Sequence, residues 1–114
     1  MNKKRQAIFD KSGGKCWYCG CDLTKGWHAD HLEPVFRYNG SMQYPEKDNE
    51  INLVPACRPC NLFKATYSLE GFRREIEEQA SRAMKQSVNY RTALRFNQIV
   101  ETKKPVIFWF ERRA

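Results

Sequence analysis

The thirteen residues Asn52–Lys64, NLVPACRPCNLFK, decide the fold. Asn52-Leu53-Val54-Pro55 reads as a short extended piece closed by Pro55, because proline has no N–H to give to a strand ladder. Cys57-x-x-Cys60 has the two-residue gap of a zinc knuckle, and the spacing predicts a helix from Arg58 to Tyr67 that begins inside the cysteine pair. A second knuckle, Cys16-x-x-Cys19, stands upstream in CWYCGCDLTKGWHADHLEPV, residues Cys16–Val35. Two such pairs supply four thiolates, enough to close a tetrahedral shell without water, whereas core cysteines have no reason to fall in two CxxC pairs. A structural Zn²⁺ on Cys16, Cys19, Cys57 and Cys60 is therefore expected. Cys21 is left over and is the alternative to Cys19 as a ligand. Five cysteines suit four metal-bound thiolates plus one spare in a reducing compartment better than a disulfide framework.

The 37 residues between the knuckles exceed the spacing of a simple zinc ribbon, so a functional segment is expected to fold between them. At 114 residues the chain reads as one α+β domain, 1–114, with a core over about residues 13–66 and an extension over about residues 67–114. A net charge of +7 and a pI near 9.3 favour a polyanionic partner such as nucleic acid. No segment has the apolar run of a signal peptide or a membrane span, so a soluble cytoplasmic protein with no membrane partner is expected.

Residues 2–11 have helical character that Ser12-Gly13-Gly14 breaks. Residues 27–31 suit a strand, and 34–50, rich in Pro, Gly, Asn and Asp, read as a long loop. Leu69, Phe72, Ile76, Ala80 and Ala83 recur at helical steps, and a second helix is expected from about Val88 to Glu101. Val106–Phe110 is a dense run of β-branched and aromatic residues, read as a strand. The extension is thus expected to hold two helices and a strand, and the core to carry an N-terminal helix.

Asp30 and His31 end the first extended piece, Asn52 opens the second, and Asn61 directly follows the last zinc cysteine. With Cys60 fixed to a metal and Asn61 entering the helix, groups 31 residues apart can meet. On ADHLEPV (Ala29–Val35) and NLVPACRPCNLFK, the chain resembles the HNH (ββα-metal) endonuclease superfamily. The match is to the Asp-His…Asn…Asn variant with a four-cysteine zinc site. It covers roughly residues 13–66 and is most like the small HNH proteins of phages and prophages, so that a bacterial host cell is expected if the chain is encoded by a phage or prophage. The resemblance implies a small ββα-metal, treble-clef-like, zinc-bound core. It also implies a catalytic Mg²⁺ or Mn²⁺ on Asp30 and Asn61, with His31 as general base oriented by Asn52, and hydrolysis of DNA to a 5′-phosphate and a 3′-hydroxyl.

Side-chain chemistry agrees with those roles. Carboxylate and amide oxygens are hard ligands suited to Mg²⁺ or Mn²⁺, and a neutral imidazole can take a proton from water near pH 7. Neighbours in a strand point to opposite faces, so Asp30 and His31 share one site only if the strand ends or bends there, which Glu33-Pro34 permits. His28 falls on the face of Asp30 and is a candidate extra ligand or phosphate contact, or a histidine that simply packs.

Arg37, Arg58 and Lys64 lie near the site in sequence and are candidate phosphate contacts, with DNA bound mainly through its backbone. Trp17, Tyr18 and Trp27 are expected to cover the metal and fill the core. One site cuts one strand, so a monomer should nick; whether the protein is a monomer or a dimer is open. The reading from another class is a non-catalytic zinc-dependent nucleic-acid-binding module, which needs the zinc and the basic charge but not Asp30, His31 and Asn61 together. A nuclease directed at RNA is a third.

Overall fold

A computed structural model describes residues 1–113. Its described residues form an α+β structure with six α-helices and two antiparallel sheets of two strands each. The chain is organised as two compact units, Met1–Leu69 with Ile107–Ala114, and Glu70–Val106. The last residues of the chain thus belong with the knuckles and not with the helical extension.

In the first unit, helix α1 (Lys3–Asp10) is capped by Asn2, whose side chain accepts from the Arg5 N–H at 2.8 Å. It contributes Ile8 to a buried cluster with Trp27 and Leu53, the core role expected of Trp27. Strand β1 (His28–His31) pairs antiparallel with β4 (Leu53–Ala56), with Asp30 opposite Val54 and His31 opposite Leu53. Every residue of β4 is buried. Helix α2 (Arg58–Lys64) follows β4 after one residue, so β1, β4 and α2 make a ββα arrangement. Cys57 is its N-cap, with Sγ accepting from the Cys60 N–H at 3.4 Å, and Pro59 sits in the first turn, where no N–H is needed. The helix stops at Lys64, short of the expected Tyr67, because Ala65 takes a φ of +45°.

The segment between β1 and β4 holds more regular structure than its composition suggests. Within it β2 (Arg37–Tyr38) and β3 (Ser41–Met42) form a hairpin closed by Asn39-Gly40, both at positive φ as a two-residue type I′ turn requires. Two single 3₁₀ turns, Pro45–Lys47 and Glu50–Asn52, then lead into β4.

The expected strand over Val106–Phe110 does not form; instead a short helix α6 covers Trp109–Arg112. The backbone groups found other partners. The Trp109 N–H donates to the Tyr18 carbonyl at 2.8 Å and the Phe110 N–H to the Trp17 carbonyl at 3.1 Å, so the first knuckle takes the place of a neighbouring strand. Trp17 stacks on Phe110 with centroids 5.4 Å apart and planes 9° off parallel. Gly20 has a φ of +78°, and a Cβ there would lie 2.5 Å from the Trp109 ring. Gly20→Ala is expected to cost about 1–3 kcal/mol in urea unfolding, from backbone strain and overlap together. Wild-type stability in that variant would mean that α6 does not press on the knuckle.

The second unit contains most of α3 (Leu69–Glu77) together with α4 (Gln79–Gln86) and α5 (Val88–Arg95). The periodic run from Leu69 to Ala83 is therefore two helices with a break at Glu78. Ser87 caps α5, accepting from the Tyr90 N–H at 3.0 Å, and the helix ends at Arg95, well before Glu101, with Asn97 at a φ of +57° just beyond. The returning segment is fastened at Val106, whose carbonyl accepts from Arg73 and whose N–H donates to Glu77.

Candidate functional site

Both knuckles come together. The Sγ atoms of Cys16, Cys19, Cys57 and Cys60 lie within 4.8 Å of one another, and those of Cys19 and Cys57 are 3.8 Å apart. A tetrahedral ion with Zn–S bonds of about 2.3 Å needs sulfur atoms separated by roughly 3.8 Å, so the four thiolates fit a zinc ion. Cys21 lies beside Cys19 and Cys57 but does not belong to that set of four. Hydrogen bonding from Cys60, supported by backbone N–H groups, pulls the Cys16 thiol down to about 4, while the same contact pushes Cys60 up. A soft metal would take the four sulfurs as thiolates.

Tyr18, between the two cysteines of the first knuckle, donates its hydroxyl to Asp30 Oδ2 at 2.5 Å. Lys64 Nζ lies 3.3 Å from the same oxygen and donates to the His31 carbonyl at 2.9 Å. Burial pushes the Asp30 carboxyl above the usual range, and Lys64 and Tyr18 pull against it. Burial, followed by the charge of Asp30, holds the Tyr18 phenol far above its ordinary value, so it stays a donor. Lys64 is fully buried. It cannot meet a phosphate, and the expectation of a DNA contact there is corrected: an ammonium on α2 is enclosed because a buried carboxylate on β1 balances it.

β1 keeps the alternation of a strand to its end. His28 and Asp30 share the side that meets α2, where His28 Nδ1 is 2.6 Å from Asn61 Nδ2 and Asp30 meets Lys64. His31 turns instead to the loop, with Nε2 2.8 Å from Asp48 Oδ1. That contact holds the Asp48 carboxyl below the usual range. Asn52 does not touch the His31 ring. Its amide donates to the Glu33 and Lys47 carbonyls at 2.9 and 2.7 Å and accepts from the Glu33 N–H at 2.9 Å. It staples the turn after His31 to the residue before Asp48, so the partner aligned on the imidazole is Asp48, which the sequence did not single out.

Asp30, His31, Asn61 and Arg37 line one cleft of about 480 Å³, with Phe36 and Leu62 among its apolar walls. Asp30 and His31, whose side chains β1 sends to opposite faces, both line this cleft at the end of the strand. Both partners of Asp30 act on Oδ2, and Nδ2 of Asn61 is committed to His28. Asp30 and Asn61 bring a carboxylate and an amide to one cleft, ligand types that would suit Mg²⁺ or Mn²⁺. Arg58 is exposed, and neither it nor His28 nor Asn52 lines the cleft.

Over 65 residues the chain is 37% identical to Protein ea31 of Escherichia phage lambda, a match that covers 54% of this chain and 20% of that protein. The chain spans about a fifth of the length of that relative. No family model and no solved structure matches it. Among the described residues no helix is long and apolar enough to cross a membrane.

Proposed function

We propose that the protein is a metal-dependent DNA endonuclease of the HNH type, nicking one strand per visit. The observation that carries this reading is the shared cleft of Asp30, His31 and Asn61, with His31 backed by Asp48. A carboxylate accepting from Nε2–H leaves the Nδ1 lone pair of His31 to take a proton from water, the arrangement a general base needs. Asp30 and Asn61 would hold the Mg²⁺ or Mn²⁺, which supplies positive charge for the departing 3′ oxygen. Arg37, exposed at the cleft, is placed to meet a backbone phosphate, and Arg58 adds positive charge on α2. The cysteine cluster would hold structural zinc and keep the first knuckle, and with it Tyr18, against Asp30.

A second reading is favoured by one observation: Asp30 is already neutralised by Lys64 without any added cation. That suits a non-catalytic zinc module that binds nucleic acid through its basic charge. Incubation with supercoiled plasmid separates the two. The endonuclease reading expects conversion to open circles with Mg²⁺ or Mn²⁺ and none with EDTA. Retarded but uncut plasmid under every metal condition would leave the binding module standing. A structured RNA in a parallel reaction tests the choice of substrate.

A further inference from the structure

Two pairs join β1 to α2. Residues two apart on a strand share a face, as do residues three apart on a helix, and here His28 meets Asn61 while Asp30 meets Lys64. The first pair has a definite chemistry. Its contact is nitrogen to nitrogen at 2.6 Å, and an amide nitrogen has no lone pair to accept with. Asn61 Nδ2 is therefore the donor and His28 Nδ1 the acceptor, which puts the ring proton on Nε2. An amide fixed by its nitrogen has its oxygen fixed as well. With Nδ2 held on His28, Oδ1 is the atom that Asn61 can offer to the cleft it lines. Turned the other way, the side chain would offer an NH₂ group, which binds no cation.

We infer that His28 is a positioning residue that holds the Asn61 amide so that its oxygen serves the cleft as a ligand. The inference rests on the reading of Asn61 as a metal ligand and gives His28 a task distinct from those expected of it. His28 does not line the cleft and would touch neither the ion nor the phosphate. Its work is to remove a twofold ambiguity that a lone asparagine carries.

The test uses the zinc-loaded full chain, with Mn²⁺ as the probe and the free-ion signal in electron paramagnetic resonance as the readout. His28→Ala should weaken Mn²⁺ binding on the order of tenfold, the range expected when a partner behind a ligand is lost. His28→Asn should restore binding to within about twofold, because an asparagine Oδ1 stands the same number of bonds from Cβ as histidine Nδ1 and can accept from the same amide. His28→Gln places its acceptor one bond further out and should not restore it. A merely structural role would not separate Asn from Gln in this way. The side-chain ¹⁵N resonance of Asn61 should shift in the Ala variant without metal and return toward its original position in the Asn variant.

The controls keep the two readings apart. If Asn61→Ala weakens Mn²⁺ binding but His28→Ala does not, the role of His28 is overturned while Asn61 stands as a ligand. If Asn61→Ala leaves Mn²⁺ binding unchanged, the ligand reading of Asn61 falls and takes this inference with it. Equal loss in all three His28 variants would also overturn the inference.

Discussion

Cys57→Ser is expected to lose zinc and unfold the first unit rather than merely slow a reaction. Serine is as good an N-cap as any residue, so the start of α2 keeps a side-chain acceptor and the effect reports on the metal. Zinc held by four thiolates contributes apparent binding energies of about 10–16 kcal/mol in small zinc domains, which equals or exceeds the total stability of roughly 5–15 kcal/mol of an ordinary domain. The knuckle is also where other parts of the unit are attached. Tyr18 carries the hydrogen bond to Asp30, and the carbonyls of Trp17 and Tyr18 hold the first turn of α6. Release of Cys16 and Cys19 would therefore loosen β1 at the cleft and α6 together. Elemental analysis should show about one zinc per wild-type chain and close to none in the variant. The variant should also lose near-ultraviolet circular dichroism, to which Trp17 and Trp109 would contribute. A cooperatively folded, zinc-free Cys57→Ser protein would remove zinc from the account of this fold.

The cysteine pairs were legible because two CxxC pairs have the spacing of metal knuckles, and the four sulfur atoms do come together. The extended pieces around Asp30 and Leu53 were legible for a related reason, since each is short and bounded by Pro or by a knuckle. Lys64 was not. A lysine in a basic chain reads as surface, and its burial follows from a carboxylate 34 positions away that only the β1–α2 packing brings within 3.3 Å. Asp48 was hidden in the same way, because an aspartate in a loop rich in Pro, Asn and Gly looks like a turn residue until His31 is placed against it. Asn52 reads as the residue that orients the imidazole, and its side chain bonds the backbone of the turn beside it. Val106–Phe110 misled through propensity. Its residue types favour strands, but the Trp109 and Phe110 amides are taken by knuckle carbonyls, that of Val106 by Glu77 and that of Phe108 by Glu111, so no ladder forms.

His31→Ala is expected to lower the rate of plasmid nicking on the order of a hundredfold to ten-thousandfold, the usual cost of losing a general base. The substitution leaves the fold almost untouched. Lys64 bonds the main-chain carbonyl of His31, which alanine keeps, and the Asp30–Tyr18 contact and the four cysteines do not involve the ring. Zinc content, Mn²⁺ binding and salt-dependent DNA retention should therefore match wild type while cleavage falls. Asp48→Asn provides a graded check, because it preserves the imidazole and the shape of the loop but removes the carboxylate that fixes Nε2–H. Its nicking rate should fall between those of wild type and His31→Ala. Brief EDTA treatment followed by Mg²⁺ should restore wild-type nicking without added zinc, since a hard ion on two protein oxygens exchanges easily and a closed thiolate site does not. If His31→Ala nicks at the wild-type rate in the presence of Mg²⁺, the base is elsewhere. If it alone among these variants loses DNA retention as well, His31 belongs to a binding surface, and the non-catalytic reading gains the site.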